Sequence, residues 1–225
     1  LFGYPLEQYE ELFEEKLDLF SDLLSEDAVT WQGRLRAPLK DQHVFPKTES
    51  GSLKTWVGVG GSPASVLRAV NYRLPMMLAI IGGDPLRFRQ FVDLYRRALA
   101  ETEGPDLPVG VHSPGHVAAT DEEALEQLWP HFRANRDRIG AERGWGPVTR
   151  DAYEREARLG SLYVGSPETV ARKIAATASA LELDRFDLKY SNGPMPHEQL
   201  MTSVELYGTE VIPRVRELLA EETPV

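Results

Sequence analysis

The first long pattern in the chain is that of an amphipathic helix. Apolar residues recur at spacings of three and four over 6–26, and acidic residues fill many of the positions between them. This period is that of one face of an α-helix, so the sequence predicts a helix over 6–26. Residues 28–55 are punctuated by glycine and proline and rich in polar side chains, which predicts a long loop with one short hairpin near Trp31.

From residue 56 onward, short apolar runs alternate with helical patterns. The apolar runs predict strands, and residues with helical spacing follow each of them. The predicted strands are 56–60, 76–81, 109–118 and 185–190. Such alternation is typical of parallel strands joined by right-handed crossovers. Four βα units fit either an open doubly wound sheet or half of an eight-stranded barrel, and we favour the half-barrel.

Helix starts are marked by capping residues and prolines. Asp84 before a proline, Thr120 in a capping box and Ser166 before a proline each predict an N-cap. The helix after Thr120 is predicted to end at 132, and residues 139–160 are predicted to be mixed. No buried strand is predicted to lead directly into Ser166. The tail over 197–221 is predicted to be helical with an interruption at Pro213.

The turn after the first predicted strand combines glycine with serine. Gly60 and Gly61 end the strand, Ser62 stands where an N-cap belongs, and Ser65 follows within the first helical turn. Glycines let a ligand approach the backbone, and a helix start offers N–H groups with a partial positive charge. The pattern fits either a phosphate site or a plain capped helix. Residues 165–167 repeat the sequence of 61–63, and there we favour simple capping.

Two of the five histidines fall near the end of the third predicted strand. His112 and His116 would lie at the face where α/β barrels carry their active sites. Imidazole suits proton transfer near neutral pH, so each is a candidate catalytic base or ligand contact. The opposing interpretation is a hydrogen-bonded loop histidine. No histidine pair has the spacing of a zinc site, so we predict no metal site.

Composition narrows the class of protein. Lys and Arg number 25 against 35 Asp and Glu, a net charge of −10, which argues against non-specific binding of nucleic acid. The absence of cysteine excludes disulfides, thiolate metal sites and a cysteine nucleophile. Apolar runs all stay short of the roughly 20 residues of a membrane span. We therefore expect a cytoplasmic globular protein without nucleic-acid or membrane partners.

Several stretches together resemble the luciferase-like flavin-dependent monooxygenases. They are LFGY (1–4), WVGVGGSPAS (56–65), LPM (74–76), IGG (81–83), VGSPETV (164–170), RFD (185–187) and GTEVIP (208–213). The resemblance covers nearly the whole chain and implies a TIM (β/α)8 barrel, of which this chain supplies about the last four βα units. We therefore predict a single domain over 1–225, with a helix and long loop in 1–55 and βα units in 56–225.

The same resemblance implies chemistry. It implies a flavin-dependent oxidoreductase or monooxygenase that uses reduced FMN, or in relatives a deazaflavin, with molecular oxygen on a small organic substrate. It assigns the flavin phosphate to Gly60, Gly61, Ser62 and Ser65, and an isoalloxazine contact to Ile80. The alternative is a non-catalytic flavin-binding or oligomerising remnant of the barrel, incomplete on its own.

The resemblance also predicts partners. A separate flavin reductase is expected to supply the reduced flavin. A half-barrel exposes two sheet edges, so we expect either a homo-oligomer or association with a missing amino-terminal half.

Overall fold

The computed structural model describes residues 3–25, 27–47, 49 and 53–222. The chain divides into two compact units, and the boundary along the sequence falls between Thr55 and Trp56. The first unit contains a short 3-10 turn (Leu6–Gln8), helix α1 (Tyr9–Ser25) and an antiparallel pair of strands, β1 (Val29–Trp31) and β2 (Leu39–Gln42). The predicted helix and the hairpin near Trp31 are confirmed, with residue 26 outside the described residues. The prediction of a single domain stays a prediction.

A parallel sheet forms the centre of the second unit. Its strands are β3 (Val57–Val59), β4 (Met76–Ala79), β5 (Val109–Val117), β6 (Tyr163–Gly165) and β7 (Arg185–Lys189). The first three pair in chain order, and both β6 and β7 pair with β5. β7 lies along the first part of β5 and β6 along its end. The predicted α/β class with a parallel sheet is confirmed.

Helices connect these strands. They are α2 (Pro63–Asn71), α3 (Arg89–Ala100), α4 (Asp121–Arg143), α5 (Arg150–Leu159), α6 (Pro167–Leu181), α7 (His197–Leu206) and α8 (Ile212–Glu222). A π turn (Tyr207–Val211) separates α7 from α8, which confirms the interruption predicted beside Pro213. Within the described residues, no helix has the length and apolar character needed to cross a membrane.

The helices cover one face of the sheet. Alternate strand residues such as Val59, Leu78 and Val111 are fully buried in one core cluster with side chains of α2 and α3. On the opposite face, Gly58 is exposed and His112 is only half-buried, whereas Gly110 is buried. Parallel strands are normally buried on both faces. In the part of the chain that the structure describes, this second face therefore remains partly open.

The predicted end of the helix after Thr120 is wrong. Helix α4 continues beyond 132 to Arg143, where Gly144 in the left-handed region (φ +71°) ends it. Residues 139–160, which we predicted to be mixed, contain the end of α4, a break over 144–149 and helix α5. Its N-cap is Thr149, whose Oγ1 accepts a hydrogen bond from the Ala152 N–H at 3.2 Å.

The prediction that no buried strand leads into Ser166 is also wrong. All three residues of β6 are buried, and the strand ends directly at Ser166. Gly115 of β5 permits this pairing, because a Cβ at that position would collide with the carbonyl oxygen of Tyr163. The pairing depends on a contact with a distant part of the chain, which periodicity within 163–165 does not reveal.

Candidate functional site

The turn between β3 and α2 combines an open backbone with a helix start. A Cβ built at Gly60 meets no atom within 4 Å, and Gly61 has a φ of +108°, which favours glycine. Ser62 is the N-cap of α2, as predicted, and its Oγ accepts a hydrogen bond from the Ser65 N–H at 3.1 Å. The same hydroxyl donates to Ser65 Oγ at 3.2 Å. Backbone N–H groups and two hydroxyls are thus presented at the carboxyl end of a strand.

The start of α6 has the same Gly-Ser-Pro sequence but already carries an internal anion. The Asp121 carboxylate accepts hydrogen bonds from the Ser166 N–H at 2.6 Å and from Thr169 Oγ1 at 2.9 Å. Burial raises the pKa of Asp121, but these hydrogen bonds outweigh it and hold the pKa below its usual value. Capping is confirmed there, since Ser166 Oγ accepts from the Thr169 N–H.

No comparable group fills the start of α2. Its first turn contains no acidic residue, and no carboxylate of the described residues is hydrogen-bonded to it. A helix N-terminus favours negative charge through its N–H groups and its dipole. Of the two Gly-Ser-Pro turns, the one at Ser62 is therefore open to an anion from outside.

The end of β4 carries two isoleucines, and the one predicted to contact the flavin, Ile80, is the buried one. Ile80 is fully buried in the core cluster that faces the helices. Its carbonyl oxygen accepts a hydrogen bond from Ser113 Oγ at 2.8 Å. The next residue, Ile81, is 68% exposed and precedes Gly82, where a Cβ would meet only open space. A flavin contact by Ile80 stays a prediction, and Ile81 is the accessible aliphatic side chain at this strand end.

A cavity of about 440 Å³ opens beside the Gly82–Gly83 turn. Phe132 and Arg136 of α4 line it together with Trp145, and Glu156 of α5 lines another part. The Glu156 carboxylate accepts hydrogen bonds from the Gly83 N–H and the Ser161 N–H, both at 2.9 Å. These bonds fix the glycine turn against α5.

Sequence reasoning missed this cavity. The sequence did contain one signal of an unpaired cation. The residues four positions before and after Arg136 on α4 are Phe132 and Gly140, and neither is acidic.

His112 lies within β5, which runs on to Val117, and not at the strand end as predicted. The register places it beside Ala79 of β4 and Asp187 of β7. Asp187 Oδ1 accepts a hydrogen bond from Arg185 Nε at 2.8 Å. Register partners project to the same face of a parallel sheet, so His112 and Asp187 share the partly open face. An imidazole in this position is accessible for proton transfer.

His116 has a different environment. It is fully buried, and its Nε2 lies 2.8 Å from Gln127 Oε1 of α4. Its Nδ1 is buried without a hydrogen-bond partner among the described residues. Burial lowers the pKa of His116; the bond to Gln127 and the charge of Glu123 oppose this, and His131 adds to it. The neutral imidazole of His116 therefore supports the packing of α4 on β5.

Acid should destabilise the protein through His116. Because its pKa is lower in the folded than in the unfolded chain, the unfolded chain binds the proton first as pH falls below about 6.5, and the free energy of unfolding decreases. Urea denaturation between pH 7.5 and 5.5 measures this. As pH falls, the free energy of unfolding of His116→Gln should decline less steeply than that of the wild type. The control His43→Gln should decline as steeply as the wild type. Parallel curves for wild type and His116→Gln would contradict the expectation.

Within the described residues, no group of three or more His, Cys, Asp or Glu side chains can hold a metal ion.

Comparisons with known proteins place this geometry in context. The sequence model of the luciferase-like monooxygenases matches residues 1–182. No curated protein sequence matches the chain. Among solved structures, monooxygenase RslO1 from Streptomyces bottropensis has a TM-score of 0.75 at 19% identity, over 94% of this chain and 63% of that one.

Two further solved structures are similar. The oxygenating constituent of 3,6-diketocamphane monooxygenase from the CAM plasmid of Pseudomonas putida, in complex with FMN, has a TM-score of 0.64 at 18% identity, over 95% of this chain and 69% of that one. The coenzyme F420 dependent tetrahydromethanopterin reductase from Methanopyrus kandleri has a TM-score of 0.63 at 16% identity, over 90% of this chain and 62% of that one.

Similarity at these identities shows a shared fold. The chain spans 63% of the length of the Streptomyces monooxygenase. The family model matches more than half of this chain, from residue 1 to residue 182 of 225. It includes the strands β3 to β6 and the serine turn before α2. The chain belongs to the luciferase-like monooxygenase family.

Proposed function

We propose that the protein is a flavin-dependent monooxygenase that uses reduced FMN and molecular oxygen on a small organic substrate. The observation that carries the proposal is the start of α2, a helix N-terminus that follows an open glycine turn and has no acidic residue in its first turn. Family membership supports the choice of a flavin. A deazaflavin is the alternative cofactor, because one similar structure is a coenzyme F420 dependent enzyme.

The residues of this turn fit a phosphate group. Gly60 leaves room for phosphate oxygens. In the first turn of α2 the Ala64 N–H is available to an anion, because Pro63 has no N–H and the Ser65 N–H donates to Ser62. The hydroxyls of Ser62 and Ser65, now bonded to each other, can turn toward an anion. Reduced FMN supplies the electrons that activate oxygen. The chain's own residues would bind and orient the flavin, and His112 would hold or move a proton on the open sheet face.

We further infer that the sheet is about the last four βα units of a TIM barrel. Strands β3, β6 and β7 each have a single pairing partner in the described part of the chain. These open edges also favour the second candidate function, a non-catalytic flavin-binding or oligomerising remnant. The cytoplasmic location and the absence of nucleic-acid and membrane partners stay predictions from composition.

The open edges should be covered by association, because an exposed strand edge is a template for pairing with another chain. We propose a second copy of this chain or an amino-terminal half as the partner, with a separate flavin reductase as a transient one. Sedimentation of the purified chain should show species of at least twice its own mass. A stable, well-folded monomer would contradict this.

A flavin titration followed by a turnover assay tests the proposed function. The chain should retain FMN through gel filtration and show a flavin absorption band. In its presence, reduced FMN and oxygen should be consumed faster than in a protein-free solution of reduced FMN. Retained colour without turnover would support the remnant. The same titration with a deazaflavin decides between the two cofactors, and retention of neither would overturn the proposal.

A further inference from the structure

The cavity beside Gly82–Gly83 contains a cation that no carboxylate of the described residues pairs with. The neighbouring arginines of α4 form ion pairs with acids one turn ahead, Arg133 with Asp137 at 3.4 Å and Arg138 with Glu142 at 3.9 Å. Arg136 instead places its guanidinium 4.4 Å from the centre of the Trp145 ring. The guanidinium of a second arginine, Arg143, lies 5.3 Å from the centre of the same ring. Positive charge thus accumulates around Trp145.

The acidic group of the cavity does not neutralise this charge. Glu156 is engaged by the N–H groups of Gly83 and Ser161. It also attracts the ammonium group of Lys173, whose Nζ donates to the carbonyl oxygens of Ala157 and Leu162 at 2.5 and 2.9 Å. Burial lowers the pKa of Lys173 to about 8, and Glu156 opposes this shift. Lys173 is therefore largely protonated at neutral pH and balances Glu156. The guanidinium of Arg136 is exposed to solvent and has no carboxylate partner among the described residues, so it can pair with an incoming anion.

The remaining walls of the cavity are apolar. They comprise Ile81, Phe132, Trp145, Val148 and Leu162. Two of these side chains are aromatic, and aromatic rings favour offset or edge-to-face contact with another ring. The volume of about 440 Å³ is within the range of sites for small ligands. A planar apolar body fits these walls, while a guanidinium favours bidentate pairing with a carboxylate.

We propose that this cavity binds the organic substrate and that the substrate is an aromatic carboxylate. Its ring would pack against Trp145 and Phe132, and its carboxylate would pair with Arg136. The cavity lies where β4 ends, beside Pro114 of β5, and the Ser62 turn likewise follows the carboxyl end of β3. The identification of this ligand as the substrate rests on the proposed function; the binding itself does not.

Calorimetric titration of the flavin-free chain with 2-naphthoate and with its neutral amide tests the proposal. The naphthoate should bind more tightly than the amide. The variant Arg136→Gln should weaken naphthoate binding about 10- to 100-fold, as expected for loss of a charge-assisted hydrogen bond, and should affect the amide little. The matched control is Arg138→Gln, which removes an equal charge from the same helix outside the cavity and should leave both affinities unchanged.

Trp145 provides a second readout. Naphthoate should quench the tryptophan fluorescence of the wild type, and Trp145→Phe should remove most of this quenching. Equal binding of acid and amide, equal losses in the two arginine variants, or quenching that persists in Trp145→Phe would overturn the proposal. Because no flavin is present, a failed FMN titration beside successful naphthoate binding would reject the proposed function alone.

Discussion

Replacing His112 by alanine is expected to lower turnover by about 10²- to 10⁴-fold, the range typical of a lost acid–base group. FMN affinity should remain nearly unchanged, because His112 lies within β5 and the predicted phosphate site lies in the turn after β3. The half-buried imidazole shares the open sheet face with Asp187, where a proton can reach or leave it. Steady-state kinetics and a flavin titration on the same preparation measure the two quantities.

His116 supplies the matched control for this experiment. It is on the same strand, but it is fully buried and bonded to Gln127. His116→Ala should lower Tm and change turnover only as far as the folded fraction falls. Equal losses of rate and FMN affinity in His112→Ala would assign His112 a structural role. Selective loss of rate in His116→Ala would make His116 the catalytic group.

Ser62→Ala should weaken FMN binding by about 10- to 100-fold, as expected for a lost charge-assisted hydrogen bond. Riboflavin should be affected much less, because it lacks the phosphate that this contact recognises. The variant also loses an N-cap, which costs about 1 kcal/mol of stability. Titration of both flavins against wild type and variant, with thermal melts alongside, separates the two effects.

The start of α6 offers a control with the same local sequence. Ser166→Ala removes the equivalent cap, but Asp121 already satisfies that turn, so the melt should shift without a change in FMN affinity. If Ser62→Ala likewise shifts only the melt, Ser62 is a cap and the phosphate site lies elsewhere.

Local patterns were enough to predict most of the fold. The apolar period over 6–26, the buried runs of β3, β4 and β5, and the alternating pattern of β7 each carry their own signal. Helix α5 has only a weak apolar pattern, because Tyr153 and Ala157 are its only buried residues. The end of α4 was predicted at 132, too early, because only Gly140 is buried beyond that point and the last turns carry little apolar signal.

The candidate site has one part that the sequence predicts and one part that it does not. The glycine–serine turn before α2 is contiguous in sequence, so composition and spacing were sufficient to find it. The cavity beside Gly83 was not predictable, because it joins strand ends to Arg136, Trp145 and Glu156 from distant segments. Which of two adjacent isoleucines is buried depends equally on packing, and Ile80 proved to be the core residue.

Asp121 has a consequence for stoichiometry. Two turns of the same Gly-Ser-Pro sequence stand at the ends of β3 and β6, and each begins a helix that attracts anions. At α6 the Asp121 carboxylate occupies that position, so an incoming phosphate would have to compete with a group held permanently nearby. Of these two turns, only the one at α2 is therefore open to the phosphate of the proposed FMN, and binding curves for FMN are expected to saturate at one equivalent per chain.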